Sequence, residues 1–127
     1  MADLGPVVLQ AGSPIAYRTG VRLDLHPDDR LADLQQRVRT AVHQVRGAAS
    51  TGYPLGVLHM TAGYATADTD SDELAQIVHR VRPGHAPSTV GRIVLVEVAW
   101  QRVVPAGSDG PVWRIGWDAV ATVPLGR

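Results

Sequence analysis

A chain of 127 residues, 45% of them apolar, can form one domain with one hydrophobic core, which we assign to residues 1–127. It lacks cysteine, which excludes disulfides and thiolate metal sites, and its 12 basic and 12 acidic residues balance, which argues against a broad nucleic-acid surface. No apolar stretch approaches the roughly 18 residues of a membrane span, and no signal-peptide pattern opens the chain, so we expect a cytoplasmic protein without membrane contact. All the basic residues are arginine, a bias typical of a GC-rich genome.

The N-terminal segment predicts two strands. Residues 7–10 form a short apolar run between Gly-Pro and Gly-Ser-Pro, which indicates an edge strand. Residues 19–26 alternate between apolar and polar side chains, which predicts a half-buried strand that ends where His26 precedes Pro27.

Two amphipathic helices follow. The first is predicted over about residues 28–46, with Asp28 as a cap for its free amides and Gly47 as its end. Its apolar stripe has spacings of three and four residues and consists of Leu31, Leu34, Val38, Val42 and Val45. The second helix is predicted over about residues 71–81, before Pro83.

Three further strands complete the chain. They are predicted over residues 56–65, 88–103 and 112–123, and the last two read as a hairpin. We expect Trp100, Trp113 and Trp117 to fill the core or cover one edge of the sheet. The fold class is therefore α+β, with one antiparallel-rich sheet and two helices packed on one face.

The candidate functional site lies in the strand at residues 56–65. Alternation places Leu58, Met60, Ala62 and Tyr64 on an apolar face, while His59 and Thr61 project together from the other. An imidazole and a hydroxyl two residues apart can bind one anion and exchange a proton with it. The simpler alternative is a histidine held by a neighbouring group on a solvated face.

Other candidates for chemistry are weaker. His26 is expected in a surface loop, and His43, His79 and His85 in structural or loop positions. No histidine has the spacing of a metal site, and the acids between Asp68 and Glu73 lack the glycine and closing glutamate of a calcium loop. We therefore predict neither a metal nor a cofactor.

Two segments resemble the 2H phosphoesterase family, the relatives of bacterial 2′-5′ RNA ligase. Residues 58–65, Leu-His-Met-Thr-Ala-Gly-Tyr-Ala, are similar to the family's second His-x-Ser/Thr motif, and residues 117–126, Trp-Asp-Ala-Val-Ala-Thr-Val-Pro-Leu-Gly, to its terminal strand. The resemblance spans about residues 4–126 and is with the C-terminal part of a longer protein, so the fold would correspond to one lobe of such an enzyme.

The resemblance implies metal-independent hydrolysis of a 2′,3′-cyclic phosphate or a 2′-5′ linkage. In that family, two imidazoles divide the acid and base roles while two hydroxyls hold the phosphoryl oxygens. Carried over, His59 is one acid/base and Thr61 one phosphate ligand, and we assign Tyr64, Tyr53 and Arg22 to substrate binding. The implied partner is a small phosphate-bearing ligand or nucleotide.

A second His-x-Ser/Thr motif is missing from the sequence. Three interpretations follow. In the first, two copies of the chain share one site in a homodimer, with Trp100 or the N-terminal strand near the contact. In the second, a degenerate domain binds a small molecule or a protein without turnover, and in the third the scaffold serves other, biosynthetic chemistry with His59 as a single acid or base.

Overall fold

The computed structural model describes residues 4–126, which form an α+β fold with antiparallel sheets and two α-helices, as predicted. In chain order, the elements are β1 (Val7–Tyr17), β2 (Gly20–His26), α1 (Asp29–Arg46), a 3-10 turn (Ala48–Ser50), β3 (His59–Tyr64), α2 (Ser71–His79), β4 (Ala86–Val90), β5 (Arg92–Val103) and β6 (Val112–Pro124).

Four strands form one antiparallel sheet in the order β3-β2-β1-β4, and β5 pairs with β6 in a separate hairpin. The prediction of a single sheet is therefore wrong, because the predicted strand over residues 88–103 divides at Gly91 into β4 and β5. The carbonyl oxygen of Gly91 accepts a hydrogen bond of 2.9 Å from the backbone N–H of Leu125, outside either ladder.

The first strand is central and not an edge strand, because β2 and β4 flank it. It also continues through Gly12-Ser13-Pro14, where the sequence predicted a break. The register against β2 shifts between Ala11 and Pro14, and such an irregularity can take up a proline that has no N–H for the ladder.

Helix α1 begins and ends within a residue of its prediction, and it covers one face of the four-stranded sheet. Leu31 packs with Val7, Leu9 and Leu25 in a buried cluster. Leu34 packs with Leu4 and Leu125 in a second cluster. The apolar stripe is less buried toward the C-terminal end of the helix, where Val45 is exposed.

The two helices begin differently. Asp28 precedes α1 but makes no side-chain capping hydrogen bond, so that prediction is wrong; its backbone is already helical, which is not the usual N-cap conformation. Asp70 precedes α2 in an extended conformation, and its carboxylate accepts hydrogen bonds from the N–H groups of Asp72 and Glu73.

The three tryptophans lie on one face of the β5–β6 hairpin, because their cross-strand pairs are Val98–Trp117, Trp100–Ile115 and Arg102–Trp113. We call this surface the tryptophan face. Trp100, Trp113 and Trp117 are 60%, 63% and 65% exposed, so the predicted core position is wrong. The hairpin packs on the core near its base, through Ile93, and leaves this face open.

Candidate functional site

The site begins with two exposed side chains at the start of β3. His59 and Thr61 are two residues apart in the strand, so their side chains project from the same face of the sheet. Leu58 lies between the loop and the strand and contacts the hydrophobic core on the other side. The strand thus separates a core side from a polar side at this point, as its alternation predicts.

The neighbouring strand β2 adds charged groups to this polar face. Asp24 pairs directly with His59, and Arg22 pairs directly with Thr61. Residues directly opposite each other in an antiparallel pair point to the same side of the sheet. An imidazole, a hydroxyl, a carboxylate and a guanidinium therefore share one surface, which we call the polar face.

Arg22 is the most constrained member of the polar face. It is half-buried, and its guanidinium carbon lies 5.2 Å from the centre of the Tyr17 ring. Its Nε is buried, and within residues 4–126 this atom has no hydrogen-bond partner. A buried donor without a partner is costly, because the atom has lost its hydrogen bonds to water and gained none from the protein.

The ring of His59 is oriented by its own chain. Its Nδ1 lies 3.3 Å from the carbonyl oxygen of Val57, so Nδ1 carries the proton that it donates to this acceptor. In the neutral ring, the lone pair is then on Nε2. Nε2 is the atom that can take a proton from water or from a substrate hydroxyl.

Tyr64 lies on the opposite side of the sheet from the apolar face on which alternation places it. The register shift in β3 inserts Ala62 between the pairs Arg22–Thr61 and Val21–Gly63, so Tyr64 pairs with Gly20. One extra residue moves the following side chains to the other face. Tyr64 thus joins the side of Arg22, and alternation alone wrongly placed it on the apolar face.

A cleft of about 1070 Å³ continues from Tyr64 toward the far end of the hairpin. Its aromatic walls are Tyr17, Tyr64, Trp100 and Trp113, and its rim carries the hydroxyls of Thr66 and Ser71. The volume and the aromatic lining are those of a small-molecule site. Because the cleft combines residues from distant parts of the chain, no local pattern in the sequence could indicate it.

Tyr53 is not part of the polar face. Its backbone carbonyl accepts a hydrogen bond from the guanidinium of Arg39, which places it beside α1, and its side chain is exposed. Helix α1 covers the opposite face of the sheet, with Leu31 in the core. Of the five predicted site residues, the structure therefore brings together His59, Thr61, Arg22 and Tyr64, and it separates Tyr53.

Two other histidines have distinct environments. His43 lies on α1, where its Nε2 is hydrogen-bonded to the hydroxyl of Thr51, a structural contact. His26 is the last residue of β2 and pairs with Gln10 of β1, so it belongs to the sheet and not to a surface loop. The Pro27 that follows suggested the loop, whereas pairing with β1 extends to His26 itself.

Among the described residues, no three histidine, cysteine, aspartate or glutamate side chains are grouped so that they could hold a metal ion. No helix between residues 4 and 126 is both long enough and apolar enough to cross a membrane. Comparison with known proteins finds no matching family model, no matching curated protein and no matching solved structure.

Proposed function

We propose that this chain is a phosphoesterase-like protein that acts on a 2′,3′-cyclic phosphate or a 2′-5′ phosphodiester, with His59 as an acid/base. The observation that carries the proposal is the direct pairing of Thr61 with Arg22, beside His59, on one exposed face. The resemblance of residues 58–65 to the His-x-Ser/Thr motif of 2H phosphoesterases supplies the substrate class.

Each side chain has a defined part in this proposal. The hydroxyl of Thr61 donates a hydrogen bond to one phosphoryl oxygen, and the guanidinium of Arg22 offsets the charge of the phosphate. Nε2 of His59 accepts the proton of the attacking water. Asp24 pairs with His59 across the two strands and places a carboxylate on the same face as the imidazole. The chain supplies all four groups, so the proposal requires no cofactor.

Hydrolysis of adenosine 2′,3′-cyclic phosphate tests this function. We expect turnover by the wild-type protein and a decrease of about 10²–10⁴-fold in His59→Ala, the usual contribution of a general acid or base. His79→Ala is the matched control, because His79 is an exposed histidine at the end of α2. Activity that survives His59→Ala would mean that the site lies elsewhere.

The second candidate function is binding without turnover, and the aromatic cleft supports it. A volume of about 1070 Å³ with tyrosine and tryptophan walls suits a planar ligand, whether or not a reaction follows. Absence of turnover by the wild-type protein, together with saturable binding of adenosine 2′-phosphate, would favour this role. Recruitment to biosynthetic chemistry, with His59 as a single acid or base, stays a third prediction.

We further propose that the chain forms a homodimer through the tryptophan face. The chain exposes 9578 Å², whereas a folded monomer of this mass is expected to expose about 6,500 Å². The excess of roughly 3,000 Å² per chain is more than the area of about 1,000 Å² that each partner needs to bury in an obligate dimer. Aromatic side chains are also the residues most enriched in such interfaces. The cytoplasmic location stays a prediction from the sequence.

A further inference from the structure

The aromatic cleft and the tryptophan face share three residues. Trp100, Trp113 and Ile115 line the cleft. They also belong to the tryptophan face, because Trp100 pairs with Ile115, and Trp113 lies two residues from Ile115 on the same side of β6. Tyr17 and Tyr64, the last residues of β1 and β3, line the cleft as well. The same indole rings are thus part of a cavity for a small molecule and of the surface proposed for the dimer.

The exposed surface of these rings can be buried only once. Trp100 and Trp113 are 60% and 63% exposed, and both project from the same side of the hairpin. A second copy that buries the two rings must approach from that side. A planar ligand that packs against the same rings in the cleft occupies the space that this copy needs.

The tryptophan face extends beyond the cleft toward the base of the hairpin. The next cross-strand pair on this face is Val98 with Trp117, and it lies outside the cleft lining. Trp117 is four residues from Trp113, which corresponds to about 13 Å along a strand. Conversely, Arg18 lines the cleft from the turn between β1 and β2 and is not part of the hairpin. Trp117 and Arg18 therefore allow the two surfaces to be changed separately.

The charges around the cleft indicate the kind of ligand. Its lining contains the guanidinium groups of Arg18 and Arg114 and one carboxylate, that of Asp68, so its formal charge is positive. All three side chains are exposed. Aromatic walls stack on planar ring systems, and an excess of positive charge attracts an acidic substituent. A planar aromatic anion complements both properties of the cleft.

We propose that the cleft binds a planar aromatic anion and that this ligand and a second copy of the chain exclude each other. The exclusion rests on the homodimer proposed above. Binding of the ligand shifts the chain toward the monomer, and, by thermodynamic reciprocity, dimerisation weakens binding of the ligand. The cleft is thus a site at which a small molecule controls the oligomeric state.

Sedimentation of the wild-type protein with 2-naphthalenesulfonate tests the exclusion. Each of the two clefts must be empty in the dimer, so the apparent Kd of the dimer rises with the square of one plus the ratio of probe concentration to probe Kd. At a probe concentration ten times its Kd, we expect an increase of about 100-fold. An unchanged or decreased dimer Kd would overturn the exclusion and leave the homodimer intact. A wild-type protein that is monomeric without the probe would overturn both.

Two variants separate the dimer contact from the cleft, with probe binding measured by isothermal titration calorimetry. We expect Trp117→Arg to be a monomer whose probe Kd does not depend on protein concentration, whereas the apparent probe Kd of the wild-type protein should rise with it. We expect Arg18→Gln to weaken probe binding by roughly 2–5-fold, the effect of an exposed charge pair, and to leave the dimer Kd unchanged. Loss of probe binding in Trp117→Arg, or of the dimer in Arg18→Gln, would overturn this division.

A neutral analogue, 2-naphthalenemethanol, tests the requirement for a negative charge. We expect it to bind the wild-type protein more weakly than the sulfonate does, and to bind Arg18→Gln as well as it binds the wild-type protein. Equal affinity of the two compounds for the wild-type protein would show that the ligand need not be an anion, and absence of binding by both would overturn the site. None of these measurements depends on turnover, so a failure to hydrolyse the cyclic nucleotide would count against the phosphoesterase function alone.

Discussion

Thr61 of β3 is the direct cross-strand partner of Arg22 of β2, and this pair joins a motif that the sequence shows to a group that it does not. A hydroxyl two residues after a histidine is visible in the sequence. The guanidinium opposite it depends on how two strands, with α1 between them in the chain, are paired. The pair therefore places a positive charge beside the hydroxyl that is proposed to bind the phosphate.

The first prediction concerns Arg22. Replacing it by Met keeps an apolar stem against Tyr17 but removes the charge. Because hydrogen bonds to charged groups contribute about 1.5–3 kcal/mol, we expect the Kd for inorganic phosphate to rise roughly 10–100-fold in Arg22→Met. Isothermal titration calorimetry measures it. Arg30→Met is the control, since Arg30 is exposed on α1, and an unchanged Kd in Arg22→Met would exclude this arginine from the site.

The second prediction distinguishes the role of the Thr61 hydroxyl from the role of the side chain's branched shape. Thr61→Val keeps the branched side chain that suits a strand, whereas Thr61→Ser keeps the hydroxyl. Losing a donor to a developing charge commonly costs about 10²–10³-fold in kcat, so we expect such a decrease in Thr61→Val and near-normal turnover in Thr61→Ser. Steady-state kinetics on the cyclic nucleotide measures both. The opposite order would mean that packing matters here and not the hydroxyl.

Local patterns in the sequence gave correct predictions where a single element decides the outcome. The three-and-four spacing of Leu31 and Leu34 depends only on the helix to which they belong, and α1 lies within a residue of its prediction. The same holds for the alternation of His59 and Thr61. The predicted cap Asp28 is an exception, because its backbone is already helical and its side chain makes no capping hydrogen bond.

Features that depend on the pairing between strands could not be predicted from local patterns in the sequence. The extra Ala62 in β3 moves Tyr64 to the polar face, and it is visible only in the register against β2. Pro27 wrongly suggested a loop at His26, because pairing with Gln10 cannot be read from adjacent residues. The tryptophans alternate with other residues along the hairpin as the side chains of a buried strand do, but whether their face is buried depends on what packs against the hairpin.

The third prediction concerns Gly20, which lies at the turn between β1 and β2 and pairs with Tyr64. A Cβ at this position would overlap the carbonyl oxygen of Gly63, a backbone atom that cannot move without disturbing β3. We expect Gly20→Ala to lower the free energy of unfolding by about 1–3 kcal/mol and to loosen β3. Urea denaturation measures the first effect, and amide hydrogen exchange of β3 measures the second.

Gly56→Ala is the matched control for Gly20, because a Cβ on Gly56 meets nothing within 4 Å. Its stability should stay within about 0.5 kcal/mol of the wild-type protein. If Gly20→Ala were equally harmless, the close approach of β2 and β3 at this point would be wrong. The position of Tyr64 beside Tyr17 would then lose its support.

The fourth prediction tests the homodimer. Size exclusion with light scattering should give the mass of a dimer for the wild-type protein at micromolar concentration, and of a monomer for Trp100→Arg. Gln101→Arg is the control, because Gln101 is the next residue on β5 and projects from the other side of the hairpin. A wild-type monomer would disprove the dimer, and dissociation by Gln101→Arg alone would place the contact on the opposite face.

The fifth prediction contrasts the two aspartates that precede the helices. The carboxylate of Asp70 accepts a hydrogen bond of 2.8 Å from the N–H of Asp72, whereas Asp28 makes no such bond. Loss of a working N-cap costs about 1 kcal/mol, so we expect Asp70→Ala to lower the free energy of unfolding by that amount and Asp28→Ala to have an effect within about 0.5 kcal/mol. Urea denaturation of both variants measures the difference. Equal losses would show that Asp28 caps α1 in solution, as the sequence alone predicts.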